Sequence, residues 1–113
     1  VIQPDVTHCG GFTGALKIIS IAEKYKIPIA LHVWGSALSI ISNLHLAIAS
    51  SQIKWLEIPQ VKLEILSDQI INLFSIKNGL LFPDLKPGLG VNINNKIKNN
   101  YPLLKGSGYK FPK

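Results

Sequence analysis

Between Ile27 and Ile53 the chain carries no Asp, Glu, Lys or Arg, and this stretch constrains the fold more than any other feature. An uncharged run of that length either crosses a bilayer or lies inside a globular domain. Its internal punctuation favours the interior. Pro28, His32, Asn43, His45 and five serines interrupt it, and polar groups of this kind are costly in hydrocarbon. Gly35-Ser36 also divides it into two pieces with different periodicities. A buried core is expected, and no membrane partner.

The first piece, "IPIALHV" (27–33), is short, rich in β-branched residues and apolar on both sides. That suits a central parallel strand covered on both faces. After the Gly35-Ser36 turn, a helix is expected to about Ser50, with Leu38, Ile41, Leu44 and Ile48 on one stripe. "IKWLEI" (53–58) reads as another strand. Upstream, "VIQPDV" reads as the end of a strand and "HCGG" as a turn relaxed by two glycines. Thr13 is the expected N-cap of a helix in which Ala15, Ile18, Ile19 and Ala22 recur at helical spacing, ended by "KYK" and Pro28. The order strand, helix, strand, helix, strand predicts an α/β fold, as a parallel sheet or a β/α barrel. After Pro59 the pattern changes. "NLFSIKNGLLFPDL" carries an Asn78-Gly79 turn between apolar flanks, which signals a hairpin. A Gly/Pro-rich crossing segment, "KPGLGVNINN", then leads to a short polar stretch and a tail.

Charge is uneven. The net +6 comes from 12 Lys against 6 acids with no Arg, and residues 85–113 hold six of the Lys and no acid. Interleaved with Tyr101, Tyr109 and Phe111, such a tail could follow a phosphate backbone. Lacking the bidentate forks that Arg supplies, it is read as a solvated basic terminus, and no nucleic-acid partner is expected. Cys9 is the single cysteine, so an internal disulfide and a multi-cysteine zinc site are excluded. The first residues show no basic region followed by an apolar one, and a cytoplasmic location is expected.

Ligands of parallel α/β folds bind at the carboxyl ends of strands. Here the three strands end on Asp5, His32 and Glu57, each closing an apolar run before a turn. A carboxylate beside His32 would fix its tautomer and make it a better base. A Glu in a mostly apolar pocket can stay protonated and donate to a developing oxyanion. Two readings of His32 fit the pattern, an acid–base residue and a structural histidine satisfied by a neighbour. His8 and Cys9, adjacent, would need further ligands to hold a metal. His45, on a helix, reads as a core-edge or surface histidine. "GLG" (88–90) lacks the Lys-Ser/Thr of a phosphate loop.

"QPDVTHCGGFTGALKIISIAEKYKIPIALHVWGSA", followed by "WLE" and "PDLKPGLGV", resembles the late barrel region of the enolase superfamily, in its mandelate racemase and acid-sugar dehydratase branch. The resemblance implies about strands six to eight of a TIM-type β/α barrel in residues 1–60. A C-terminal capping segment with a hairpin and basic tail would occupy residues 61–113. It also implies roles. Asp5 and His32 would form a dyad that moves the proton α to a substrate carboxylate, or returns one to a departing hydroxyl. Glu57 would hydrogen-bond the enediolate, and Trp34 would line the substrate pocket. The Asp/His pair favours this branch over the lysine-using muconate cycloisomerase branch, whose name loosely similar sequences often carry.

The family implies Mg2+, but its three carboxylate ligands have no counterpart in this chain, and Glu23, Glu64 and Asp68 fall on helical or irregular segments. Metal and oxyanion donors each supply several kcal/mol, roughly 3 or more, to such carbanions. The chain alone is therefore expected to be inactive, and to act on a hydroxy-acid or sugar-acid substrate only in a completed barrel. Self-association or a complementing chain is the expected partnership. The alternative is a non-catalytic remnant that folds as an oligomer.

Overall fold

A computed structural model describes residues 1–60, 73–84, 86–93, 95–102 and 104–106. In chain order the elements are α1 (Gly11–Lys24), β1 (Ile29–Leu31), α2 (Ala37–Ala49), β2 (Ile53–Leu56), β3 (Phe74–Lys77), β4 (Leu80–Pro83) and α3 (Asn95–Asn100).

The N-terminal segment acts as the first strand position. Ile2 forms a parallel bridge with Ile29, and its N–H and carbonyl bond the Pro28 carbonyl and the Ala30 N–H at 2.9 and 3.1 Å. β1 pairs in parallel with β2 on its other side. The parallel strand-helix-strand order is therefore present, with β1 central. Its coverage differs from expectation. Ile29, Leu31 and Val33 are buried, but the alternating Ala30 and His32 are only half-buried. Helices cover one face, where Ile29 and Leu31 meet Ala15, Ile19, Ala22 and Leu46. The described residues leave the other face partly open.

Two helix expectations are corrected. The N-cap of α1 is Gly10, at φ 88, and not Thr13, which lies inside the first turn. The chain must pass through left-handed backbone at Gly10 and Gly11 to enter the helix, which glycine does without a Cβ penalty. Gly14 is needed for a different reason: a Cβ there would sit 1.8 Å from the Cys9 carbonyl oxygen. In α2, Ile48 is exposed, whereas Ile40, Ile41, Leu44 and Leu46 are buried together with Ser39, Ser42 and Asn43. This helix buries more than one face, so its stripe is wider than the four residues expected.

The Asn78-Gly79 hairpin is present. β3 and β4 pair antiparallel with Lys77 opposite Leu80, and Asn78 and Gly79 both take positive φ, 51 and 75. Those angles belong to the two-residue turn whose twist matches the strands. Ala37, Ile41 and Leu44 of α2 share a core with Leu73, Phe74, Leu81, Leu89 and Val91, so the hairpin and the crossing segment pack on the same helix as the parallel strands. The polar stretch after them contains α3, which buries Ile97. Residues 61–72, with Glu64 and Asp68, and the end of the basic tail from 107 onward, with Tyr109 and Phe111, lie outside the described residues. No helix among the described residues is long and apolar enough to cross a membrane.

Candidate functional site

Where the first strand position ends, the backbone turns sharply. The N–H groups of His8 and Cys9 both donate to the Asp5 carbonyl at 2.9 Å, and this leaves the Asp5 side chain buried at the strand's carboxyl end. The ladder continues beyond β1, with the His32 N–H donating to the Pro4 carbonyl at 3.2 Å. Asp5 and His32 are thereby held side by side, and His32 Nδ1 lies 3.1 Å from Asp5 Oδ2.

The rest of the carboxylate is saturated. Oδ1 accepts from the Thr7 N–H at 2.9 Å, the Thr7 hydroxyl at 2.8 Å and the Asn43 amide at 2.9 Å. Burial alone would push the Asp5 carboxyl up. The hydrogen bonds from Asn43, from the Thr7 backbone and hydroxyl, and from His32 outweigh it and hold the pKa at about 2. An ionised Asp5 only accepts, so the His32 Nδ1 must carry a proton, and the lone pair of the neutral ring is on Nε2. With 42% of its side chain exposed, His32 is open to a substrate.

In the sequence, His8 and Cys9 read as an adjacent pair that would need further ligands to hold a metal. The structure instead turns His8 toward the dyad. Its Nδ1 lies 2.9 Å from the Thr7 hydroxyl and 3.4 Å from Asp5 Oδ2, and its ring stands edge-on to His32 with centroids 6.5 Å apart. The Thr7 proton is committed to Asp5, so Thr7 accepts and His8 Nδ1 donates. Cys9 is half-buried, and burial pushes its thiol up, which disfavours the thiolate that a metal would need. His45 Nε2 is buried with no hydrogen-bond partner among the described residues.

Glu57 follows β2 on the strand next to His32, and its N–H donates to the Leu31 carbonyl at 3.0 Å. It therefore ends its strand at the same edge as the dyad. Its side chain is exposed, however, and the apolar surroundings expected of it are not supplied by the described residues. Trp34 follows β1 and is also exposed. Neither belongs to the hydrogen-bonded cluster. An open groove runs between α2, β2 and the β3–β4 turn, past Ile48, Trp55 and Leu80, and shares no residue with that cluster.

Asn43 and Thr7 are the functional residues that sequence reasoning missed. Asn43 had a signal, a carboxamide inside an uncharged helix; its partner, 38 positions away, had none. A Mg2+ ion needs several hard oxygen ligands in near-octahedral array. No group of three or more His, Cys, Asp or Glu among the described residues could hold a metal, and the Asp5 oxygens are already taken. The described residues do not fit Mg2+.

Comparison with known proteins gives a consistent answer. A sequence family described as "Enolase C-terminal domain-like" matches residues 1–97. D-galactonate dehydratase of Pectobacterium atrosepticum is 33% identical over 99% of this chain and 32% of its own length. The enzyme of that name from Verminephrobacter eiseniae is 32% identical over 86% of this chain and 27% of its length. The chain thus spans about a third of the curated relatives it matches. Among solved structures, an enolase superfamily member from Polaromonas sp. JS666 superposes with a TM-score of 0.80, at 31% identity, over 96% of this chain and 29% of that one. The 3,6-anhydro-D-galactonate cycloisomerase of Zobellia galactanivorans gives 0.75, at 26% identity, over 86% and 28%.

Proposed function

From the premise that this chain belongs to the enolase C-terminal domain-like family, we propose that it supplies the acid–base half of an acid-sugar dehydratase site. Its fold is the C-terminal portion of a β/α barrel. The observation that carries the proposal is the 3.1 Å contact between Asp5 Oδ2 and His32 Nδ1, which leaves the lone pair of a half-exposed neutral ring on Nε2.

In this reading His32 Nε2 removes the proton α to the carboxylate of a hydroxy or sugar acid. The imidazolium so formed is stabilised by ionised Asp5 at its other nitrogen. It then returns the proton to the departing β-hydroxyl, which leaves as water, and the enol product tautomerises to a 2-keto-3-deoxy acid. The balance closes within one residue: His32 ends as it began. Glu57, at the same edge, would donate to the enediolate once a covering segment desolvates it, and Trp34 would wall the substrate. The intermediate needs more stabilisation than these residues give, since metal and oxyanion donors each contribute several kcal/mol, roughly 3 or more. The isolated chain is therefore proposed to be inactive, and to work with a complementing chain.

Native mass spectrometry on the chain purified from its own source tests this first, followed by an assay for 2-keto-3-deoxy acid formation from aldonates with magnesium. A two-polypeptide complex that dehydrates an aldonate, and loses the activity on His32→Asn, supports the proposal. A monomer or homo-oligomer that exchanges no α-hydrogen with deuterated water refutes it, and favours a non-catalytic remnant.

The cycloisomerase neighbour favours a second reading in one respect. Proton abstraction by the same dyad can also open a cyclic sugar acid, and the product formed from an anhydro-aldonate separates the two.

A further inference from the structure

The two oxygens of the Asp5 carboxylate are used unequally. Oδ1 accepts three hydrogen bonds, while both imidazoles approach Oδ2. Two of the Oδ1 donors belong to Thr7, which is two residues away and moves with Asp5. The third, Asn43, comes from α2, 38 positions along the chain.

Asn43 is wholly buried, and both its amide hydrogens and its oxygen are bonded within the protein. One amide hydrogen goes to Asp5 Oδ1, the other to the Ser39 carbonyl at 3.0 Å, and its oxygen accepts from the Val6 N–H at 3.0 Å. The Val6 N–H is buried just past the end of its strand, where a donor without a partner is costly. One carboxamide thus ties the side chain of residue 5 and the main chain of residue 6 to the same helix. The job needs two donors and one acceptor at Asn length. An ionised Asp has no donor, Leu has neither, and Gln is a methylene too long.

We propose that Asn43 is a positioning residue for the Asp5–His32 pair. By fixing Oδ1 it restrains rotation of the carboxylate, so that Oδ2 is aimed at His32 Nδ1 and the ring keeps its proton there. The inference rests on the reading of His32 as a base, and deepens it by naming what sets the tautomer.

The test is the 15N chemical shifts of the His32 ring in the 113-residue chain, followed against pH in the unsubstituted protein and in Asn43→Leu and Asn43→Asp. The unsubstituted ring should be in the Nδ1–H form when neutral, and a mainly Nε2–H ring would overturn the proposal at once. Asn43→Leu should shift the population from mainly Nδ1–H toward the Nε2–H form. In Asn43→Asp, burial beside ionised Asp5 raises the pKa of the introduced carboxyl, because two adjacent buried carboxylates cannot both ionise readily. While protonated it still donates to Oδ1. The neutral ring should therefore stay in the Nδ1–H form as long as that carboxyl is protonated, and lose it as the introduced group ionises with rising pH.

If Asn43 only fills space, both variants lose stability while the His32 tautomer and its pH profile stay as in the parent. That result overturns the proposal. Should Asn43→Leu fail to fold, the Asn43→Asp profile decides, a flat one overturning and a pH-dependent one supporting it. The readout needs no turnover, so a catalytic role for His32 can fail while the role of Asn43 stands, and the reverse.

Discussion

Replacing Gly14 by alanine sets two well-understood effects against each other. In an exposed helix interior the change should stabilise by about 1 kcal/mol through helix propensity. Here the added Cβ would lie 1.8 Å from the Cys9 carbonyl oxygen and 2.9 Å from its carbon, so the oxygen must retreat by about 1.2 Å to reach the 3.0 Å that real contacts respect. The Cys9 peptide is not free to do so. Its N–H is bonded to the Asp5 carbonyl, and Gly11 N–H to the Val6 carbonyl, at 2.9 and 3.1 Å. Overpacking of this sort costs about 1–3 kcal/mol. Weakening one or two turn hydrogen bonds adds about 1 kcal/mol each. The clash wins, with a net loss of about 1–4 kcal/mol after the propensity gain. With a urea slope of about 2 kcal/mol/M, the unfolding midpoint should fall by about 0.5–2 M. A midpoint equal to or above the parent's would refute the account of why glycine stands at this position.

The remaining expectations concern Asp5 and the hairpin. The Asp5 pKa is depressed from 3.8 to about 2, so its stabilisation is complete above the ordinary value and is lost as pH falls toward the folded one. That amounts to about 2 kcal/mol. Urea midpoints of the parent should drop between pH 4 and 2 by more than those of Asp5→Asn, and parallel curves would count against the hydrogen-bonded carboxylate. Gly79→Ala places a Cβ at φ 75 and should cost about 1 kcal/mol, seen as a melting temperature lower by about 4 °C; an unchanged melting temperature would argue against the positive-φ turn.

What could be read from the sequence was local in origin. The Asn78-Gly79 turn is set by two adjacent residues, and Asp5 and His32 stand where apolar runs stop, so both were visible without knowing what packs where. The helix faces were harder. α2 has no charged residue to mark a solvent side, so the periodicity has no phase and sets Ile48 inward, where the structure exposes it. At α1, Thr13 has the better capping chemistry, but two left-handed glycines already deliver the chain into the helix at Gly11. Asn43 could be recognised as out of place in an apolar helix, but its bond to Asp5 spans 38 positions, and no local pattern encodes a contact of that range. The surroundings of Glu57 depend on what covers β2, which its own sequence run does not state.

The ladder running past the strand ends has a consequence for the site as a piece of hardware. Pro4 is bonded to His32, and Leu31 to Glu57, through main-chain atoms alone. The spacing of neighbouring side chains is therefore that of a sheet, about 4.8 Å, whatever side chains are mounted there. Three adjacent sockets on a common rail result, each filled by one residue. Exchanging a side chain changes the proton donor or acceptor on offer without changing where its backbone stands. Such a frame can be refitted for another reaction on the same backbone.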